Sequence, residues 1–272
     1  MNWFAPAWAT CNFELKRSFT FQRTAVTIVL ALFPPTMLSL LVLGAYLAQR
    51  SMPPQMAEFS TFLTVFMVAL VQLLSLLLWA TPNIYSELEG KSWAFIASRP
   101  GGRVSVYLGK FMASVLVSFA IAMTAVTLCI MISHFILGTI KPVQSWLALN
   151  LVYLLASCIY SALFSTIGTL FIKRAMVVGA GFLIGFDVLL ASVPGALVNK
   201  LTVRYHLQEI GVYLLGWFFP AAAGSEQEYR FIFGGEWPVW LHLLAIIGGT
   251  AFFLGLGIYI VVSREFVTKD QS

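Results

Sequence analysis

The sequence is poor in charged residues. Only 10% of its 272 residues are Asp, Glu, Lys or Arg, whereas 60% are hydrophobic. An average soluble protein has about 25% charged and about 45–50% apolar residues. So few charges could not cover the surface of a soluble fold of this length, which excludes an ordinary cytosolic enzyme and a disordered chain. The composition predicts an all-α polytopic membrane protein.

Residue types that often carry chemistry are scarce or scattered. The three cysteines stand at no metal-binding spacing, and we interpret them as small packing residues. His134, His206 and His242 form no pair at ligand spacing on one helix, so a metal site would need a fold-back of the chain and none is expected. The excess of five positive charges forms no basic stripe, which excludes nucleic acid as a partner.

Six apolar runs are long enough to cross a bilayer, which takes about 20 residues of helix. They cover residues 24–48, 59–82, 107–137, 143–172, 175–194 and 238–262. With six spans, eleven of the sixteen basic residues fall on one side, and short cytoplasmic loops are rich in Lys and Arg. We therefore expect a single transmembrane domain in the cell membrane of a prokaryote, with the N-terminus and the tail 263–272 in the cytoplasm.

Residues 195–237 are less regular. Their apolar stretch, from Ile210 to Phe219, is about ten residues long and too short to span. We interpret the segment as two short helices on the outer surface or as a re-entrant hairpin. A seventh span is the alternative, and it would place the C-terminal tail outside.

The segment before the first apolar run, residues 3–22, has an amphipathic pattern. Trp8, Cys11, Leu15 and Phe19 recur at helical spacing, and the charges lie mostly on the other side. This pattern predicts a helix lying in the membrane interface. A frayed tail is the alternative.

The loop 83–106, between the second and third apolar runs, combines acidic, basic and aromatic residues. Its spacing predicts one short amphipathic helix, which ends at Arg99 because proline at position 100 disfavours the α conformation one residue earlier. Such a helix suits a docking surface, although it could also be a connection resting on the lipid headgroups. The triplet 90–92 resembles the end of a nucleotide-binding P-loop, but Tyr85 stands where that motif needs glycine, so the chain is not expected to bind ATP.

The same loop resembles the membrane subunit of ABC-2-type transporters. The matching residues are Glu87-x-Glu89-Gly90-Lys91, Ser98-Arg99-Pro100, Arg103, Gly109 and Lys110. The order of the helices, the interfacial N-terminal helix and the segment between the fifth and sixth spans extend the resemblance over the whole chain. The departures are Lys91-Ser92 where threonine is common, Trp93-Ala94-Phe95-Ile96 where leucines are common, and Gly101-Gly102 where Val-Ser is common.

The resemblance implies a type V-like permease with the loop as its coupling helix. Two copies of an ATP-binding subunit would carry ATP and Mg, this chain would hold no cofactor and have no enzymatic activity, and a second copy or a sister permease would complete the membrane part. The implied activity is export of an unidentified substrate. The implied ATPase-coupling residues are Glu87, Glu89, Gly90, Arg99, Pro100 and Arg103. The alternative is a non-transporting scaffold or mechanical relay that works with an ATPase and an outer-facing protein.

Asp187 is the only ionisable residue deep in a predicted span. A carboxylate there costs about 2.5–3.5 kcal/mol on insertion scales, so it is a functional candidate by default. It follows Gly181-x-x-x-Gly185, a spacing that allows close helix approach. We consider two roles for this group: lining a transport path or dimer seam, or hydrogen bonding to a neighbouring helix near the outer headgroups. An intramembrane aspartyl protease would need a second such aspartate.

Overall fold

A computed structural model describes residues 4–49, 56–90, 92–138, 141–189, 200–215 and 237–266. The regular elements of this part of the chain are all helices. Five of them are long and apolar enough to cross a membrane. The chain is thus an all-α, multi-pass membrane protein, as its composition predicted.

The helices follow the apolar runs of the sequence. In chain order they are α1 (Phe4–Ser18), α2 (Phe21–Gln49), α3 (Met56–Ala80), α4 (Tyr85–Glu89), α5 (Trp93–Ala97), α6 (Gly102–Leu137), α7 (Pro142–Leu170), α8 (Ala175–Phe182), α9 (Val203–Leu215) and α10 (Val239–Ser263). A π-helical stretch, Leu183–Leu189, continues α8. Together α8 and this stretch cover only part of the predicted fifth span, 175–194, whose last residues lie outside the described chain, so this span stays a prediction.

Helix α7 forms the centre of the bundle and carries its polar residues inward. Ser157, Ser161 and Ser165 are fully buried. The Gln72 amide of α3 donates to Ser157 at 2.7 Å, and the Asn83 amide donates to Ser165 at 2.9 Å. Because lipid offers these groups no partners, such contacts hold neighbouring helices together. The polar face of α7 therefore serves helix packing.

Glycines let two segments approach a neighbouring helix closely. A Cβ on Gly168 of α7 would overlap the carbonyl oxygen of Thr81. A Cβ on Gly109 of α6 would lie 2.5 Å from the carbonyl oxygen of Ala7, where α1 crosses. Helix α1 is therefore packed against the bundle along α6, with Ala7 and Cys11 buried.

The predicted single helix of the loop 83–106 is wrong in form, because the structure has two short helices there, α4 and α5. Glycine in a helix interior costs about 1 kcal/mol relative to alanine, and α4 ends at Gly90. The hydroxyl and the backbone N–H of Ser92 bond back to the Glu87 carbonyl instead of continuing the helix. The face that packs inward contains Ile84 and Trp93, and Gly101 in the left-handed region (φ 72°) turns the chain into α6.

Helix α9 lies alongside α7 and α10. Leu207 and Ile210 pack with Ile159 and Ile246 in one buried cluster, and Leu215 packs beside Tyr153 in the next. The helix thus runs antiparallel to the Pro142 half of α7. It is the described part of the predicted outer segment, whose residues 195–199 and 216–236 lie outside the described chain.

Candidate functional site

Three elements meet at one buried ammonium group. The Lys110 side chain of α6 is only 4% exposed. Its Nζ lies 2.5 Å from Glu87 Oε1 of α4 and 3.3 Å from Glu14 Oε1 of α1, and it donates to Ser86 Oγ at 2.7 Å. These contacts use all three donors of the ammonium group. We call Glu14, Glu87 and Lys110 the charge cluster; it joins α1, the loop and α6.

The loop itself helps to keep Glu87 ionised. Burial raises the pKa of Glu87, but hydrogen bonds from Lys110 and Ser92 and the charge of Lys110 outweigh burial, so the pKa lies below its usual value. The Ser92 hydroxyl donates to the Glu87 carboxylate across the break between α4 and α5. The carboxylate therefore fixes the fold of the loop and its position on α6 together.

The six predicted coupling residues separate into two groups. Glu89, Gly90, Arg99 and Pro100 are exposed on the loop. Glu87 faces inward in the charge cluster. Arg103 is half-buried and donates to the Val262 carbonyl at 3.1 Å near the end of α10.

The loop surface between the exposed charges is aromatic. Phe95 of α5 is 75% exposed, and Tyr85 is 39% exposed. Trp93, two residues before Phe95, is buried and meets the Phe266 ring edge-on at 5.1 Å.

Asp187 is buried inside the bundle, where it holds the start of α9. It is 1% exposed and accepts hydrogen bonds from the Tyr160 hydroxyl and from the backbone N–H of Arg204 at 3.1 Å. Because α9 begins at Val203, this carboxylate satisfies one of the free N–H groups of its first turn. Tyr160 lies well inside α7, so the contact is far from both ends of that helix.

The structure does not bring Asp187 together with the two glycines that precede it. Gly181 and Gly185 are exposed, and a Cβ at either would meet nothing within 4 Å. Asp187 contacts α7 and α9 within the chain. The two parts of the predicted pathway or seam thus lie on different faces of the same helix.

The structure contains a histidine pair that the sequence did not predict. His206 Nδ1 of α9 lies 2.8 Å from His242 Nδ1 of α10, and both side chains are buried. Because His206 Nε2 donates to the Lys200 carbonyl at 2.9 Å, neutral His206 accepts through Nδ1 from His242. The two residues are 36 positions apart, and only the fold-back of α9 joins them. Among the described residues, no group of three or more His, Cys, Asp or Glu could hold a metal ion.

The fold and the charge cluster define a class, that of an all-α multi-pass membrane protein with a structured loop between two of its spans. No protein-family model and no curated protein matches the sequence.

Proposed function

We propose that this chain is the membrane-spanning permease subunit of an ATP-binding-cassette transporter, which couples ATP hydrolysis by a separate ATPase to export of a substrate. The observation that supports the proposal is that the loop between α3 and α6 has an exposed surface and is also anchored to the bundle. Glu89, Phe95 and Arg99 are exposed on its surface, while Glu87 anchors it to α6. A docking element needs both a recognisable surface and a rigid base.

The charge cluster supplies a path for the motion. A displacement of α4 and α5 by a partner would move Glu87, and through Lys110 it would move α6 and α1 as well. Short packed elements transmit rigid-body shifts because packed interfaces are not continuously deformable. In this scheme α1 moves with the coupling loop.

The partners follow from this role. Two ATP-binding subunits, carrying ATP and Mg, would dock on the loop, which then faces the cytoplasm of a prokaryotic cell. A second copy of the chain or a sister permease would pack in the membrane, and the open face around Gly181 and Gly185 is the surface we assign to it. We also propose that α9 is a re-entrant helix, since Asp187 holds its first turn deep beside α7.

The test is ATPase coupling in the complex that the chain forms with an ATP-binding subunit. We expect Arg99→Ala and Phe95→Ala to lower ATPase association and ATP hydrolysis, because each removes an exposed contact without touching the charge cluster. Arg174→Ala, at an exposed arginine between α7 and α8, is the matched control and should behave like the parent protein. Unchanged association and activity in both loop variants would refute the coupling role.

A further inference from the structure

The base of the charge cluster borders a pocket with both polar and apolar lining residues, which the coupling role does not use. It has a volume of about 250 Å³ and lies between the α1–α2 junction, the end of α3 and the start of α6. Its lining includes Arg23, Trp79, Asn83, Ser86 and Lys110. These side chains carry hydrogen-bond donors and two positive charges.

Two donors that line the pocket have no partner among the residues that the structure describes. Arg23 is half-buried and forms no ion pair with any residue that the structure describes. The indole N–H of Trp79 is shielded from solvent and has no acceptor within the described chain. A buried donor without an acceptor costs about 1–3 kcal/mol, so a ligand that supplies acceptors would be favoured here.

The local charge favours an anion. Arg17, Arg23 and Lys110 stand against Glu14 and Glu87, and both carboxylates are already paired with Lys110. Glu14 also lies 3.8 Å from Arg17 and lines the pocket, so an incoming anion meets a carboxylate that is already compensated. Lys110 has no donor left and contributes its charge alone.

The position of the pocket identifies the source of the anion. Arg23 lies in the first turn of α2 and Trp79 in the last turn of α3, at the ends of two apolar helices, where headgroups are expected and tryptophan is typical. The apolar residues Val26 and Leu78 also line the pocket and are 41% and 43% exposed. Together they offer a surface for an acyl chain directly beside the polar groups.

We infer that this pocket binds the phosphate headgroup of an anionic phospholipid, with Arg23 and Trp79 as its donors and Val26 and Leu78 beneath the acyl chain. Basic pockets between membrane helices are known to hold anionic headgroups. The bound lipid would join α1, α2, α3 and α6 at the base of the charge cluster. The site does not depend on the transporter assignment.

The test measures lipid binding to the purified full chain in detergent, by native mass spectrometry and by the shift in thermal unfolding. Phosphatidylglycerol, phosphatidylcholine and inorganic phosphate are titrated separately. We expect phosphatidylglycerol to bind preferentially, Arg23→Gln to weaken it about tenfold, and Trp79→Phe, which removes a neutral donor, to weaken it about threefold. Arg174→Gln, with the same change of charge at an exposed site, should bind like the parent.

Equal binding by Arg23→Gln and Arg174→Gln would overturn the inference. So would equal affinity for phosphatidylcholine, because the charge would then play no part. Inorganic phosphate that stabilises as well as the lipid would show a site for a free anion instead. If Arg23→Gln does not fold, Trp79→Phe decides the question, because it keeps an aromatic ring at this position while it removes the indole N–H donor.

Discussion

Lys110 is the residue whose removal should cost the most stability. Its side chain is buried between two carboxylates, and removing one partner of a buried ion pair costs about 3–5 kcal/mol because it leaves uncompensated charge. We expect Lys110→Met to lower the midpoint of thermal unfolding strongly in detergent. The exposed Lys173→Met is the control and should change it little.

The charge cluster also predicts a rescue. Replacing Glu14 and Glu87 by Gln in the Lys110→Met background removes the unpaired charges, so part of the lost stability should return. Single variants and the triple variant are compared in the same unfolding experiment. A Lys110→Met protein as stable as Lys173→Met would contradict a coupled cluster.

Asp187 should stabilise the first turn of α9, because its carboxylate accepts a hydrogen bond from the Arg204 backbone N–H. Loss of a capping side chain costs about 0.5–2 kcal/mol, so Asp187→Ala should loosen the first turn of α9. Asp187→Asn keeps an acceptor oxygen and should retain most of the stability. Hydrogen exchange at the Arg204 amide, which donates to this carboxylate, measures the effect directly.

The control for Asp187 is Tyr160→Phe, which removes the second hydrogen bond and leaves the helix cap intact. It should not speed exchange at Arg204 as Asp187→Ala does. Equal exchange in Asp187→Ala and the parent protein would show that the cap does not hold α9.

At the scale of elements, the attachment of α9 to α10 should depend on pH. Burial lowers the pKa of His206, although its hydrogen bond to the Lys200 carbonyl acts in the opposite direction. The folded state therefore prefers the neutral imidazole, and stability is lost as the pH falls below about 6.5, the unperturbed value.

The measurement is the unfolding midpoint between pH 7.5 and pH 5 for the parent and for His206→Gln. Glutamine can accept and donate but does not titrate in this range, so its midpoint should fall less on acidification. His134→Gln, at an exposed histidine near the end of α6, serves as the reference. Parallel curves for all three proteins would exclude the histidine pair as the cause.

The sequence predicted the long helices better than it predicted the loop between α3 and α6. Apolar runs predict the long helices because lipid leaves a spanning backbone few alternatives to helix. The form of the loop was not predicted, because Gly90 divides the expected amphipathic helix into α4 and α5. Local periodicity carries no information about a hydrogen bond such as that from Ser92 to Glu87, which fixes the break.

At the scale of the whole molecule, the contacts missed by sequence are those between distant segments. The sequence shows that Glu14 and Lys110 carry opposite charges, but it does not show that they meet. Only the packing of α1 on α6 brings them together. The histidine pair and the contact of Asp187 with α9 depend likewise on the return of the chain along α7. Charge placement and hydropathy predict which residues lie near the membrane surface, and tertiary packing decides which of them meet.

Assembly of two copies should depend on the open face around Gly181 and Gly185. Gly181 and Gly185 have open space at the Cβ position within one chain, so leucine there should leave the fold of a single subunit intact. If a second permease packs on this face, the added side chain would separate the helices, because small residues at this spacing allow close approach. We expect Gly185→Leu to weaken dimerisation at least about tenfold, a change of about 1.4 kcal/mol, with an unchanged unfolding midpoint at low protein concentration.

Gly248→Leu, at an equally open glycine of α10, provides the matched control, and single-molecule photobleaching in liposomes counts the subunits. A dimer that tolerates Gly185→Leu as well as Gly248→Leu would place the seam elsewhere on the molecule.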